Sequence, residues 1–427
     1  YEDEDFPAWT AEPTGATLNG AAEGERFEMD TVTWAKIPVD AIDSWRIEGG
    51  RDTLSDTVTV TLHTPLPDNP EDTPNRFAGT NWMGRTLLVD TRVGTEDGLF
   101  TPWKRQICAL IESADLEGET LILTGRDRPM SRLDTFISRS YVNISDDGES
   151  EGEVEATNVG YSIGEILSDL LDVADTIAGG GLADTARAIQ APDVLPHALS
   201  SGGQSLLPVF AEWCDRLVLE CWRRYSTTGD PRYGQVNVNL WTFGTGTAGY
   251  TFAGHRSASD FENVISARLH ESTRDGAGGA FYRQDNPAFG PLLQSLEFLP
   301  LVGTYPSAPY PVNGRVVNDS IAYVETTTLS VLLGWPKADS TLETGGVARH
   351  RYRRENTSRR RLTLTVEGHD WIEPTDEIAL DDPGHTGVLA TETWVVSNRS
   401  IRYETGKIIT VFEAVTSDWL GAVQRAL

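Results

Sequence analysis

Arg361-Leu362-Thr363-Leu364-Thr365-Val366-Glu367 alternates apolar and polar residues without a break, and its period of two is the signature of a strand with one buried face. After it, Asp376 to Leu380, Thr391 to Ser397 and Ser400 to Tyr403 read as further strands, and Glu404-Thr405-Gly406 as a hairpin turn leading into Lys407 to Val415. The same chemistry recurs near the start. Thr31 to Trp34, Ser44 to Gly50, Thr57 to Leu62, Arg85 to Asp90, Trp103 to Glu112 and Glu119 to Thr124 are short β-branched or alternating runs with Gly- or Asp-rich turns between them. Strands at this spacing predict a small barrel or sandwich at each end of the chain.

Between these ends the period changes. Ser162 stands as an N-cap with Glu165 three residues on, and Ile163, Ile166, Leu167, Leu170, Leu171 and Ala174 share one helical face. A shorter helix is expected over 182–189 and a third over 205–216, followed by strands at 217–222 and 234–243. Strands are also expected at 261–271 and 281–283, a long irregular excursion over 285–319, and helices at 320–333 and 343–357. The fold class is β-rich and multidomain, two β-barrel or sandwich modules flanking a smaller α+β domain. Boundaries fall at an acidic arm (1–30), a first β module (31–144), an acidic linker (145–158), the α+β domain (159–245) and a second β module (246–427).

The chain has 427 residues and a net charge of −29, with four lysines against 31 arginines, so it is no general nucleic-acid binder. An acidic wall does, however, let DNA slide past without sticking; salt adaptation accounts for the charge equally well. No run reaches the ~18 apolar residues that crossing a bilayer takes, so no stable membrane association is expected. Cys108, Cys214 and Cys221 read as small buried hydrophobes, neither a disulfide framework nor a nucleophile.

The sequence carries no familiar catalytic motif. There is no G-x-S-x-G, H-E-x-x-H or phosphate-loop motif, and the seven histidines have no i, i+4 pairing. Gly244-Thr245-Gly246 lacks the βαβ unit that a dinucleotide site requires. With 64 acids some carboxylate pair always stands at glycosidase-like separation, so a wall-degrading hydrolase rests on abundance alone. A carbohydrate- or receptor-binding module is the other alternative, suggested by 12 tryptophans and the aromatic, Pro-rich stretch around 281–310. The expectation is a non-enzymatic chain with no catalytic residue, no cofactor and no metal.

The sharpest charge feature is ARHRYRRENTSRRR over 348–361, in which Arg349, Arg351, Arg353, Arg354, Arg359, Arg360 and Arg361 face only Glu355. Phosphate contact is one reading. A simple solvated helix face is another, and a face meeting acidic surface on a neighbouring copy is favoured; the acidic arm residues Glu2, Asp3, Glu4 and Asp5 are further interface candidates.

The order of motifs resembles the tail hub or baseplate hub proteins of tailed bacterial and archaeal viruses, related to the late-control D family. The residues that carry it are SWRIEGGRDTLSDTVTVTL (Ser44 to Leu62), NWMGRTLLVDTRV (Asn81 to Val93) and ETLILTGRDRPMSRLD (Glu119 to Asp134), with Gly125-Arg126-Asp127 at the place of a G-R-D-like signature. RRLTLTVEGHDWIEPTDEIAL (Arg360 to Leu380) and ETWVVSNRSIRYETGKIITVFEAV (Glu392 to Val415) match the last module, except that Pro374-Thr375-Asp376 stands where a Pro-Gly-Asp turn is usual. The resemblance implies that both β modules are tube-like and that three chains form a pseudo-sixfold ring. It further implies tail tube and distal tail proteins above, tip or fibre proteins below, and a place at the virion tail tip after assembly in the host cytoplasm.

Overall fold

The computed structural model describes residues 26–29, 32–35, 37, 39–51, 53–63, 81–92, 102–135, 140–142, 163–177, 187–190, 198–200, 205–216, 219–225, 234–253, 264–271, 281–286, 290–298, 354, 357, 360–404 and 406–417. Arg26–Met29 (β1) and Val32–Ala35 (β2) pair as a hairpin, so the last residues of the acidic arm are already strand. The first module continues with Ile42–Gly50 (β3), Thr57–His63 (β4), Thr86–Thr91 (β5), Lys104–Glu117 (β6) and Thr120–Asp127 (β7). A helical turn, Arg128–Ser131 (α1), then leads through Ser140–Val142 (β8) to Ile163–Ile177 (α2), Arg187–Gln190 (β9), Ala198–Ser200 (β10), Leu206–Arg216 (α3), Leu219–Tyr225 (β11) and Gly234–Leu240 (β12). Tyr250–Ala253 (β13), Val264–Glu271 (β14), Phe281–Asn286 (β15), Gly290–Phe298 (β16), Arg360–Glu367 (β17), Glu377–Asp381 (β18), Thr393–Glu404 (β19) and Lys407–Thr416 (β20) complete the order.

The strand patterns do what the sequence requires. β4 alternates exposed and buried so that Val58, Val60 and Leu62 enter the core, and β17 buries Leu362, Leu364 and Val366 on one face. Apolar side chains gather in three clusters. One lies under β3 to β7, one joins α2 and α3 to β11 and β12, and one lies under β13, β14 and β17 to β20. The two β regions are nevertheless parts of one eleven-stranded, largely antiparallel sheet, ordered β14-β17-β20-β19-β3-β4-β7-β6-β5, with β13 and β18 attached beside β19. The seam is β19 against β3, where Ile401 lies opposite Ile47. Ile401 is wholly buried and packs into the cluster of the first module, so the seam is a hydrophobic joint as well as a ladder.

Three expectations are corrected. The stretch expected as a helix over 182–189 contains β9 instead: Ala188 and Ile189 run parallel to Asn237 and Val238, and completing that three-stranded sheet outweighs local helix preference. The expected irregular excursion from 285 holds β16, which folds back on β15 as a hairpin with Leu296 opposite Arg283. The two strands expected at 391–397 and 400–403 are one, β19, whose register shifts between Val396 and Asn398; a bulge preserves pairing with β20 across the apparent gap. The helix expected over 320–333 lies outside the described residues, as does that over 343–357 apart from Arg354 and Thr357, which are helical.

Candidate functional site

Among the described residues, buried ionisable groups cluster where the parts of the chain meet. The first joint is built on Gly125-Arg126-Asp127 at the end of β7. Gly125 lies so close to β6 that a Cβ would fall on the Leu110 carbonyl. Arg126 reaches outward to Glu112 (Nε–Oε1 2.7 Å) and to Asp134. Asp127 points inward and is fully buried. One carboxylate oxygen caps α1 by accepting from Met130 N–H (3.0 Å), and the other accepts from Ser55 Oγ and Asp56 N–H, both at 2.7 Å. Arg223 of β11 closes the joint: its side chain is wholly buried and donates to Asp56 Oδ1 (2.7 Å) and to the carbonyls of Leu54 (2.7 Å) and Thr53 (2.9 Å), while Asp127 lies 3.7 Å from its Nε.

The pKa directions follow from this enclosure. Burial raises the Asp127 carboxyl, with Arg223 pulling it down and Asp56 adding to the rise. Burial also works against charge on Arg223, but Asp56 and Asp127 outweigh it and hold the guanidinium firmly protonated. Such a site contains two neighbouring carboxylates, as hydrolases do, yet Asp127 has no exposed surface through which a substrate could reach it.

A second buried pair lies beside the first. Arg51, immediately after β3, reaches Glu220 (3.2 Å) and the Thr242 carbonyl (2.8 Å), and its backbone bonds Ser397 O (2.8 Å) on one side and Cys221 N–H (3.1 Å) on the other. Burial raises Glu220, and Arg51 opposes that rise. Gly50 approaches β19 so closely that a Cβ would meet Ser397 O at 2.6 Å. The end of β3 thus touches both other parts of the chain through three consecutive residues, Gly49 to Arg51.

The third joint is the turn between β17 and β18. Glu373-Pro374-Thr375-Asp376 closes with Asp376 N–H donating to Glu373 O (3.1 Å), and Thr375 takes φ 80°, as glycine does at the third position of a type II turn. The missing glycine of the Pro-Gly-Asp pattern is therefore replaced in sequence but kept in conformation. Glu373 receives Lys104 of β6 and Arg224 of β11 (Nε–Oε2 2.6 Å). Its burial would raise the carboxyl, but Lys104 and Arg399 reverse that, and its pKa lies below the ordinary value. Asp370, in the same turn, receives Thr91 of β5 and Gln106 Nε2 of β6 (2.8 Å).

The arginine run divides. Arg360 is turned inward, between Glu271 and Glu392 (Nη1–Oε2 2.6 Å) and over the Trp394 ring. Arg354 lies 3.7 Å from Asp215 and stacks on one face of Trp241, whose ring also receives Arg51 at 3.8 Å. Arg361 is exposed on β17. Arg349, Arg351, Arg353 and Arg359 and the acidic group Glu2, Asp3, Glu4 and Asp5 lie outside the described residues. Gly244-Thr245-Gly246 does bind an anion, but that anion is the chain's own Glu377, held by Gly246 N–H (2.9 Å) and Thr245 Oγ1 (2.8 Å).

Among the described residues no group of three or more His, Cys, Asp or Glu could hold a metal ion, and no helix is long and apolar enough to cross a membrane. Sequence reasoning singled out Gly125 to Asp127 but missed Asp56, Arg223, Lys104 and Glu373. One local signal did exist for Arg223: LECWRRY places a charge within an otherwise unbroken apolar strand face, and an arginine there needs a buried carboxylate.

No family model matches the sequence, and neither does any curated protein. Solved structures do. The tail protein from Neisseria meningitidis MC58 superposes with a TM-score of 0.54 at 13% identity, over 90% of this chain and 94% of that one. The 43 kDa tail protein of prophage MuSo2 from Shewanella oneidensis superposes with a TM-score of 0.52 at 11% identity, over 93% and 98%. At such identities the likeness is one of fold, and the chain has the β-rich fold of these phage-type tail proteins along nearly its whole length.

Proposed function

We propose that the chain is a structural hub of a viral tail tip: three copies form a pseudo-sixfold ring that joins the tail tube to tip or fibre proteins and leaves an acidic lumen for DNA. The observation that carries this reading is the seam of β3 and β19, which sets two β regions of one chain side by side in a single sheet. Three such chains would present six similar wall segments. The net charge of −29 suits a lumen through which DNA passes, because each phosphate neutralised by a base would add affinity and slow transit. The fold of two tail proteins, matched over nearly their full lengths, supports the same role.

In this reading the chain is not an enzyme, and its buried carboxylates serve as joints. Native mass measurement tests the assembly. A particle of three times the 46.8 kDa chain is expected, and a monodisperse monomer at high concentration would overturn the ring. Release of fragments from purified cell-wall material would overturn the non-enzymatic part.

A further inference from the structure

His369 (φ 56°) and Thr375 (φ 80°) are the only non-glycine residues with positive φ among the described residues, and both lie in the turn between β17 and β18. Thr375 is β-branched, for which that conformation is strained, and strain of this kind persists only where surrounding contacts hold it. Within its own region the turn is held by β19, where Thr375 N–H donates to Val396 O (2.9 Å) and Arg399 donates to the carbonyls of Asp370 (3.1 Å) and Ile372 (2.9 Å), and a second set of contacts comes from elsewhere in the chain. Lys104 and Arg224 hold Glu373, and Thr91 and Gln106 hold Asp370. All four partners belong to β5, β6 and β11, outside the region that carries the turn.

The seam is of different character. Ile401 and Ile47 meet there with no exposed surface to speak of, within an apolar cluster and a continuous ladder. The joined regions are therefore held by a hydrophobic line on one side and by a strained, ionic turn on the other. The Glu373 half of the turn rests on ionic contacts to a partly exposed lysine and a well exposed arginine (27% and 60%), weaker than the buried seam, whereas its Asp370 half rests on buried Thr91 and Gln106.

We propose that the turn from Gly368 to Asp376 is a strained clasp whose release lets the first β region swing against the second about the Ile47–Ile401 seam. This goes beyond the hub reading and holds whether or not the chain forms a ring. An angle adjustable in this way lets one chain accommodate neighbours of different symmetry.

Hydrogen exchange on the full chain tests it, comparing the parent with Lys104→Met and with Glu373→Gln. Removing one partner of the clasp is expected to speed exchange roughly tenfold in amides of the turn and of β5, while the seam amides of β3 and β19 keep their parent rate. Lys104→Met removes the more accessible partner and keeps the test intact should Glu373→Gln not fold. Equal acceleration at clasp and seam would show a single cooperative unit and overturn the proposal, as would no acceleration at either. The readout is local to the chain, so its failure is separate from failure to find a trimer.

Discussion

Ile401 lies opposite Ile47 in antiparallel register, and through that pairing a strand near the end of the chain completes a sheet begun near its start. Both side chains sit in the apolar cluster of the first β region, although Ile401 belongs to the last. Truncating Ile401 therefore removes core and seam together. Ile401→Ala is expected to destabilise the fold by about 2–5 kcal/mol in denaturant unfolding, within the usual range for a fully buried aliphatic. Leu116→Ala, at a side chain 56% exposed near the β6–β7 turn, is expected to change stability by less than about 0.5 kcal/mol.

Gly125 and Gly384 make a matched pair for the backbone joint. A Cβ at position 125 would strike the Leu110 carbonyl, which belongs to the rigid β6 ladder and cannot give way as a side chain could. At position 384 nothing lies within 4 Å. Gly125→Ala is expected to lower the unfolding midpoint by an amount corresponding to about 1–3 kcal/mol, as overpacking does, whereas Gly384→Ala leaves it near the parent value. Equal effects would mean that β6 and β7 separate more easily than their register implies.

Thr375 sits at φ 80° in a turn position where glycine has no steric penalty. Thr375→Gly relieves that strain but adds freedom to the unfolded chain, so the two effects oppose. The strain of a β-branched residue is the larger, and a gain of about 0.5–1 kcal/mol is expected in urea unfolding. A loss would show that the Thr375 side chain makes a contact worth more than its strain.

Strands such as Thr57–His63 and Arg360–Glu367 were legible because alternation reports each residue's own face, and Ile163–Ile177 was legible for the same reason at helical period. Arg187–Gln190 was not. RAIQ is too short for a period to show, and its strand state comes from a parallel partner about fifty residues later. The joints were half legible. Gly125-Arg126-Asp127 stood out as a motif, but its partner Arg223 bonds Asp56 across 167 residues, and no local pattern encodes which carboxylate a buried arginine will meet. The arginine run shows the opposite failure: composition suggested a common outward face, whereas Arg360 turns inward because Glu271 and Glu392 flank it in the folded sheet.

The three thiols are all buried, and burial pushes Cys108 up to about 12 and Cys221 up to about 11, with Cys214 raised as well. Thiolate is the reactive form, so none should react with a soluble maleimide at neutral pH while the chain is folded. Mass spectrometry after brief labelling is expected to show no adduct on the native protein and three after denaturation. An adduct on Cys214 or Cys221 alone would mean that the α+β part opens independently of the sheet.

Glu373 and Asp376 occupy one turn but titrate in opposite senses. Lys104, Arg399 and Arg224 hold Glu373 below its ordinary value against the effect of burial, whereas burial raises Asp376. A carboxylate with a lowered folded pKa contributes stability that is complete above its unfolded value and is lost as pH falls through the folded one. For Asp376 the sign is reversed: its contribution is complete at low pH and is lost as pH rises through the raised folded value. The pH profile of the parent chain therefore mixes the two, and because the Glu373 charge adds to the rise of Asp376, Glu373→Gln removes the first contribution and lessens the second. The difference between parent and Glu373→Gln should be about 2 kcal/mol at neutral pH, reduced from the range for a buried charged pair because Arg224 is well exposed. It should begin to shrink as pH drops below the ordinary glutamate value of 4.5 and vanish once Glu373 itself is protonated. Urea unfolding of both proteins across that interval reads it directly. A gap that stays constant down to complete protonation would mean that Glu373 holds the turn by shape and hydrogen bonding, not by charge.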